Sequence, residues 1–162
     1  MNRIWAPWRS EYLQAPGVDP CPFCGIAEND AMDRDNHVLY RGPRAYVVLN
    51  RFPYINGHMM IVPLRHLPDL GSLEPSEREE IMELLVVSEE ALAKGMKCMG
   101  MNGGWNLGGC AGAGVKGHIH VHLLPRWTGD SNFMTTVGET RILSESLDES
   151  YERLLPYFGK MA

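Results

Sequence analysis

Three histidines alternate with apolar residues in the stretch GHIHVHLLPRW, residues 117–127, and they are half of the six histidines in the chain. Successive side chains of a β-strand point to opposite faces, so alternation at a period of two predicts a strand. One face of this strand would carry the three imidazoles and Leu124. The other face would carry Ile119, Val121 and Leu123, which are suited to a core. The imidazoles therefore need either a function or solvent on their own face.

The remaining patterns predict an α+β domain with an antiparallel sheet. Runs of β-branched and aromatic residues predict strands, and Gly42-Pro43 and Asn56-Gly57 predict the turns that connect them. The stretch after Pro75 has acidic residues in its first turns, which is typical of a helix start. Antiparallel strands with two helices differ from the alternation of a doubly wound sheet. The predicted elements are a hairpin over residues 37–50, strands over 58–64, 103–108 and 117–125, one long helix from Pro75 and one shorter helix over 146–158.

Length and charge narrow the class of protein. A chain of 162 residues suits one domain with a single core, and a net charge of −5 argues against a protein that coats a nucleic acid polymer. No apolar run reaches the roughly 18–20 residues that span a bilayer, and the N-terminus does not look like a secretion signal. We therefore expect a cytoplasmic protein that binds no membrane. The predicted organisation is one domain over residues 1–162, with an extended arm over 1–20, a core over 21–127 and a C-terminal extension over 128–162.

The glycine-rich stretch GAGVKG, residues 112–117, fits the pattern G-x-G-x-x-G of dinucleotide-binding folds. That motif requires a helix after the glycines, whereas an alternating strand follows here. Lys116 is not followed by Ser or Thr, so the sequence is not a phosphate-binding Walker motif either. Two interpretations stay open, a tight turn between strands or a loop whose backbone amides approach an anion at glycines such as Gly112 and Gly114.

Three interpretations of His118, His120 and His122 compete. The first is a solvated strand face that is rich in histidine by chance. The second is a three-histidine metal site, although one strand presents two ligands to an ion more readily than three. The third is nucleophilic catalysis, in which a neutral imidazole attacks phosphorus and forms a covalent intermediate. The ordinary pKa of histidine, about 6.5, leaves the free base available near neutral pH.

The four cysteines do not predict a disulfide framework, because a reducing cytoplasm keeps thiols free. Cys21 and Cys24 form the segment CPFC, which can present two thiolates to one metal ion. The alternative is a pair of unmetallated thiols in a turn. Cys98 and Cys110 lack such spacing, and we expect them to be buried or half-buried.

The stretch HIHVHLLPRW resembles the H-φ-H-φ-H-φ-φ motif of the histidine triad (HIT) superfamily, where φ is an apolar residue. VVLNRFPYINGHMMIVPLRH resembles the strand–turn–strand segment of that family, WNLGGCAGAGVKG its loop before the triad, and CPFC its zinc-bearing members. WAPWRSEYL and PRWTGDSNFMTTVGETRIL are similar to the branch that contains diadenosine tetraphosphate phosphorylases. The resemblance implies a HIT-like fold, an antiparallel sheet with one long and one short helix, and a homodimer.

The resemblance also implies roles for individual residues. His120 would be the nucleophile that attacks the α-phosphorus of a nucleotide, and His122 would bind and polarise phosphate oxygens. Asn50 would hold the ribose hydroxyls, Asn106 would lie near the phosphates and the leaving group, and His58 would support the triad from the neighbouring strand.

The loop before the triad departs from the family pattern at one position. Many relatives carry Gln or Ser four residues before the first triad histidine, where this chain has Gly114. Backbone amides of the loop, at Gly112 and Gly114 among others, would then take a larger share in anchoring phosphate.

The same resemblance implies a metal site. His118, together with His66, Cys21 and Cys24, matches a Cys₂His₂ zinc set. Four protein ligands form a closed tetrahedral site, so this zinc ion would be structural. It would connect the N-terminal segment to the strand that carries the histidines.

These implications lead to an expected function. We expect a phosphoanhydride-cleaving enzyme that forms a nucleotidyl-histidine, either a phosphorylase that uses inorganic phosphate or a hydrolase that uses water, with a dinucleoside polyphosphate as substrate. The alternatives are a nucleoside phosphoramidate hydrolase and a non-catalytic nucleotide- or zinc-binding protein.

One apolar stripe on the long helix fits either a homodimer interface or the chain's own core. This stripe comprises Ile81, Leu84, Leu85 and Leu92.

Overall fold

A computed structural model describes residues 21–140 and 142–159. Within these residues five strands form one antiparallel sheet, in the spatial order β1-β2-β3-β5-β4. The α+β class and the antiparallel sheet are therefore confirmed. The strands are β1 Val38–Arg41, β2 Ala45–Leu49, β3 Met59–Pro63, β4 Gly100–Gly104 and β5 Val121–Arg126.

The long helix begins where the sequence predicts it. Pro75 occupies its first turn, and the side chains of Glu74 and Glu77 form a capping box that satisfies backbone amides at this end. The shorter predicted helix is also present and ends in a 3₁₀ turn, while two further short helices were not predicted. The helices are α1 Pro22–Glu28, α2 Pro75–Gly95, α3 Phe133–Val137 and α4 Leu147–Leu154, followed by the turn Leu155–Tyr157.

Two strand predictions need correction. The fourth strand was expected over residues 103–108 but is β4, because Gly100 pairs with Arg126 and the register continues to Gly104 opposite His122. Beyond Gly104 the chain leaves the sheet. The histidine strand was expected from residue 117, whereas ladder pairing with β3 begins at Val121. The first two triad histidines therefore lie on the segment that precedes the paired strand.

The predicted apolar face of the histidine segment is confirmed. Ile119, Val121 and Leu123 are buried together with residues of β2, β3, α2 and α4. The apolar stripe of α2 belongs to the same core. Ile81, Leu84 and Leu92 of the stripe are buried there, and Leu85 packs against them. Burial in the chain's own core accounts for the stripe, so the stripe gives no support to a dimer.

The opposite face of the sheet is covered by α1. Phe23 of this helix packs among buried side chains of β1, β2 and β3. The buried hydroxyl of Tyr46 donates a hydrogen bond to the Phe23 carbonyl at 3.0 Å. Arg41, held by Asp33, donates to the carbonyls at the end of α1. These contacts hold α1 against the face that carries the histidines.

The arm predicted over residues 1–20 lies outside the described residues. None of the helices in the described part of the chain is long and apolar enough to cross a membrane.

Candidate active site and metal centre

Four ligand-bearing side chains from distant parts of the chain meet beside α1. The ligand atoms of Cys21, Cys24, His66 and His118 all lie within 4.8 Å of one another. The Cys21 Sγ atom is 3.3 Å from His118 Nδ1, and the Cys24 Sγ atom is 3.3 Å from His66 Nδ1. Two thiols and two imidazoles at these separations fit the donor set of a tetrahedral structural zinc site. These four residues could therefore bind one metal ion.

The orientation of His118 supports a ligand role. Its Nε2 atom lies 2.9 Å from the carbonyl oxygen of Pro63, and a carbonyl can only accept, so Nε2 carries the proton. The lone pair of Nδ1 then faces the two thiols. A backbone carbonyl that fixes the tautomer of a metal-binding histidine is a common supporting contact. His120 and His122 are not members of this cluster, which disfavours the three-histidine metal site.

His120 has the opposite tautomer to that of His118, the histidine whose lone pair faces the thiols. Its Nδ1 atom lies 2.9 Å from the carbonyl oxygen of His118 and must donate to it. The lone pair is therefore on Nε2. His120 is only 5% exposed, and burial lowers the pKa of its ring below the ordinary value. The buried position of all three triad histidines excludes the solvated strand face.

A chain of hydrogen bonds fixes the third triad histidine. The backbone amide of Tyr54 and the side-chain amide of Asn50 both donate to Nδ1 of His58, at 3.2 and 3.3 Å. His58 must then donate from Nε2 to Nδ1 of His122, at 2.9 Å. The remaining proton of His122 is on Nε2, a buried atom with no partner among the described residues. An unpaired buried donor is costly unless a ligand accepts from it.

The electrostatics agree with this order of donors. Burial, together with the neighbouring His122 and His120, lowers the pKa of His58 to about 3. Burial and the neighbouring His120 lower the pKa of His122 to about 4. Both rings are therefore neutral near pH 7, and each has one donor and one acceptor nitrogen, as the hydrogen-bond chain requires.

The low pKa values predict acid sensitivity of the fold. Below about pH 6.5 the unfolded chain binds protons at His58 and His122 that the folded chain does not, so the free energy of unfolding falls as pH falls. The expected loss is roughly 1.4 kcal/mol per ring per pH unit until the folded pKa is reached. Urea unfolding of wild type and His58→Gln between pH 7 and pH 5, at about half-unit steps, should show a shallower slope in the variant.

The matched control for this experiment is Ser88→Ala. It removes a buried hydroxyl that has no hydrogen-bond partner among the described residues and adds no change in titration. Its pH slope should equal that of wild type. Equal slopes in wild type and His58→Gln would contradict the neutral, buried assignment of His58.

The other residues predicted to contact nucleotide are placed as follows. Asn50 follows β2 and contacts His58, and its side-chain oxygen accepts from the amide of Phe52 at 2.9 Å. Asn106 is half-buried on the loop between β4 and β5. Gly112 and Gly114 are exposed on the same loop, and Gly112 has the left-handed φ of +88° that favours glycine. The ribose contact of Asn50 and the phosphate contacts of Asn106 and the two glycines stay predictions.

Two aromatic residues at the site were not anticipated. The Phe23 ring lies 4.8 Å from the His120 ring, and the half-exposed Tyr54 ring lies 4.8 Å from the His58 ring, centroid to centroid. No sequence pattern singles out Tyr54.

The two cysteines outside the cluster were both expected to be buried or half-buried. This expectation was wrong for Cys110, which is exposed, and is confirmed for Cys98, which is half-buried.

An antiparallel α+β fold with a buried histidine triad beside a Cys₂His₂ cluster defines a histidine triad protein. The HIT domain family matches residues 32–129, which is more than half of the chain. The chain belongs to the HIT domain family.

Two named relatives and one solved structure agree with this assignment. AP-4-A phosphorylase of Mycobacterium tuberculosis is 35% identical over 164 residues, covering 96% of this chain and 83% of the relative. The asymmetrical bis(5'-nucleosyl)-tetraphosphatase of Schizosaccharomyces pombe is 30% identical over 95 residues, covering 59% of this chain and 52% of the relative. A Zn-bound histidine triad family protein from Mycobacterium smegmatis superposes with a TM-score of 0.70 at 25% identity, covering 87% of this chain and 94% of that one.

Proposed function

We propose that this protein is an enzyme that cleaves a phosphoanhydride bond of a dinucleoside polyphosphate through a nucleotidyl-histidine at His120. One observation carries the proposal. His120 presents an unprotonated Nε2, because its Nδ1 donates to the His118 carbonyl, and the His122 ring beside it presents an unpaired Nε2–H. A nucleophile and a donor for a developing negative charge, with ring centroids 4.8 Å apart, suit attack on phosphorus.

The first step forms a bond between Nε2 of His120 and the α-phosphorus. The bond from that phosphorus to the bridging oxygen breaks, and the leaving polyphosphate takes the electron pair. The proton on Nδ1 stays in place, so the ring becomes positively charged while it donates to the His118 carbonyl. A hydrogen bond from a charged donor is stronger than one from a neutral donor, so this carbonyl stabilises the intermediate.

His122 assists the first step as a neutral hydrogen-bond donor. Its Nε2–H would contact a non-bridging phosphate oxygen, where negative charge develops in the transition state. His58 holds the donor in this tautomer, since it supplies the proton that His122 Nδ1 accepts. Asn50 and Tyr54 in turn hold His58. This chain of hydrogen bonds orients the Nε2–H donor of His122 before substrate binds.

The second step transfers the nucleotidyl group to an acceptor oxygen. The acceptor attacks the phosphorus, the phosphorus–nitrogen bond breaks, and its electron pair returns to Nε2 of His120. The acceptor loses its proton to solvent or to phosphate. Inorganic phosphate as the acceptor is supported by the relative named AP-4-A phosphorylase, which aligns with 96% of this chain. The relative named as a tetraphosphatase aligns with a smaller share, 59% of this chain.

The metal site would have a structural role in this enzyme. Cys21, Cys24, His66 and His118 would hold a zinc ion, and four protein ligands leave no position for a reacting water. Zinc binding would fix the segment that carries His118, and the carbonyl of that residue orients His120.

The proposed function is tested by product analysis. Purified protein is incubated with diadenosine tetraphosphate, with and without inorganic phosphate, and the nucleotides are separated by chromatography. Phosphorolysis yields ADP and ATP only when phosphate is present, whereas hydrolysis yields AMP and ATP without it. Adenosine phosphoramidate in a parallel reaction tests the alternative substrate class. No turnover of the tetraphosphate under either condition would overturn the proposal and favour a binding protein.

We also propose a homodimer, on the basis of the family. Met82 and Val86 of α2 are 60% and 54% exposed and lie on the side away from the core, and β4 is a sheet edge. Exposed apolar side chains and an edge strand are each features that suit contact with a second copy. Sedimentation equilibrium gives the mass in solution, and a monomer at micromolar concentration would contradict this assignment.

A further inference from the structure

Phe23 lies between the two cysteines of the metal cluster, and its side chain points into the sheet. Phe23 is 5% exposed, and its ring packs with Val48 and Met60 on the face that carries the histidines. Its centroid lies 4.8 Å from that of His120, with the two ring planes inclined by 55°. It also meets the edge of the His118 ring, at 5.5 Å. One side chain therefore contacts both the metal-cluster histidine and the proposed nucleophile.

The backbone of Phe23 is held by contacts that are independent of the thiols. Tyr46 is fully buried in β2, and its hydroxyl donates to the Phe23 carbonyl at 3.0 Å. Arg41 of β1 donates to the carbonyls of Ile26 and Ala27, one turn further along α1. The backbone that carries the Phe23 ring is consequently fixed relative to the sheet by β1 and β2.

Packing of this kind is needed because the hydrogen bond on His120 is a weak restraint. The ring torsion of histidine is broad, and a single hydrogen bond contributes about 1 kcal/mol. An imidazole held by one such bond would populate other orientations. Nucleophilic attack requires the reacting atoms to be aligned at about 3–3.5 Å, so each misaligned orientation removes reactive molecules.

We propose that Phe23 is a positioning residue for His120, whose ring prevents the imidazole from leaving the orientation in which Nδ1 contacts the His118 carbonyl and Nε2 faces the substrate. This role rests on the proposed function, in which His120 is the nucleophile. The CPFC segment thereby acts on the nucleophile in two ways. Its cysteines contact the His118 ring in the metal cluster, and its phenylalanine restrains the His120 side chain.

The test compares Phe23→Leu and Phe23→Ala with Phe158→Leu. Phe158 is 2% exposed in the core on the other face of the sheet. No ring contact joins it to a histidine among the described residues, so it is a matched control that loses the same ring. We expect kcat for diadenosine tetraphosphate to fall about tenfold in Phe23→Leu and about a hundredfold in Phe23→Ala, with KM changed less than about twofold. Phe158→Leu should keep the kcat of wild type although it lowers the melting temperature.

A second measurement does not depend on activity. The ¹⁵N chemical shifts of the His120 ring in the zinc-loaded protein report which nitrogen carries the proton. Wild type and Phe158→Leu should show the single Nδ1–H form, whereas Phe23→Ala should show a mixture of the two tautomers. This measurement remains informative if no substrate is turned over, so failure of the positioning role and failure of the proposed function are distinguishable.

A measurement of zinc content separates the positioning role from an indirect effect in which the Phe23 variant loses zinc. If Phe23→Leu binds less zinc, its kcat is compared with that of wild type stripped of zinc by a chelator. A positioning role requires the variant to be slower than the stripped wild type. Equal rates in those two samples, a kcat equal to that of Phe158→Leu, or one unchanged tautomer in Phe23→Ala would each overturn the proposal.

Discussion

Replacing His120 with glycine is expected to lower kcat for diadenosine tetraphosphate by at least about a thousandfold, because the loss of a nucleophile removes the covalent route altogether. Neither neighbouring triad ring can substitute. The lone pair of His118 faces the thiols, and His122 presents a donor on Nε2 instead of a lone pair. The measurement is steady-state turnover, with acid quench and mass spectrometry to detect a nucleotidylated protein, which should be absent in the variant.

The glycine variant also permits chemical rescue. Removal of the side chain leaves space for free imidazole, which should restore part of the turnover and form a nucleotidyl-imidazole in solution. His37→Gly is the matched control, because the His37 ring contacts Asp148 and Tyr151 on the other side of the sheet. It should turn over substrate at the wild-type rate. His120→Gly that retains more than about a tenth of wild-type activity would exclude His120 as the nucleophile.

The sequence predicted the two faces of the histidine segment because alternation is a property of extended chain itself. Ile119, Val121 and Leu123 enter the core whether or not each residue is paired in the ladder. The first two triad histidines precede the paired strand, yet their side chains still alternate with the apolar ones. The four metal-cluster residues were implied by family resemblance, and the structure brings them together.

The parts that were mispredicted depend on partners distant in sequence. The strand Gly100–Gly104 is rich in glycine and has no strand propensity, so only its pairing with β5 defines where it begins and ends. The seven-residue helix α1 is too short to be stable alone, and contacts from Tyr46 and Arg41 hold it in place. Neither contact leaves a local pattern in the sequence.

The tautomers of the histidines were equally beyond prediction. Which nitrogen is protonated depends on whether a backbone carbonyl or another ring lies opposite it, at the scale of single hydrogen bonds. The Pro63 carbonyl places the proton of His118 on Nε2, and the His118 carbonyl places the proton of His120 on Nδ1. The same motif could place its lone pairs differently in another backbone.

Cys24→Ser is expected to abolish stoichiometric zinc binding and to lower the melting temperature by about 10 °C. The Cys24 thiol lies 3.3 Å from His66 Nδ1 and 3.6 Å from His118 Nδ1, so it is central to the cluster. Metal binding energy contributes directly to folding energy, and losing one of four ligands should remove a few kcal/mol. For a domain of this size, each kcal/mol changes the melting temperature by about 2–4 °C. Zinc is measured by atomic emission and stability by calorimetry.

The other cysteines provide the controls. Cys98→Ser and Cys110→Ser remove a thiol of the same chemistry outside the cluster, and both variants should bind one zinc ion per chain. Cys110 is exposed, so its serine variant should also keep the wild-type melting temperature. A chelator should lower the melting temperature of wild type to that of Cys24→Ser and leave the variant unchanged, because both samples then lack the same ion. If Cys24→Ser binds zinc as tightly as Cys110→Ser does, the four-residue cluster is not the metal site.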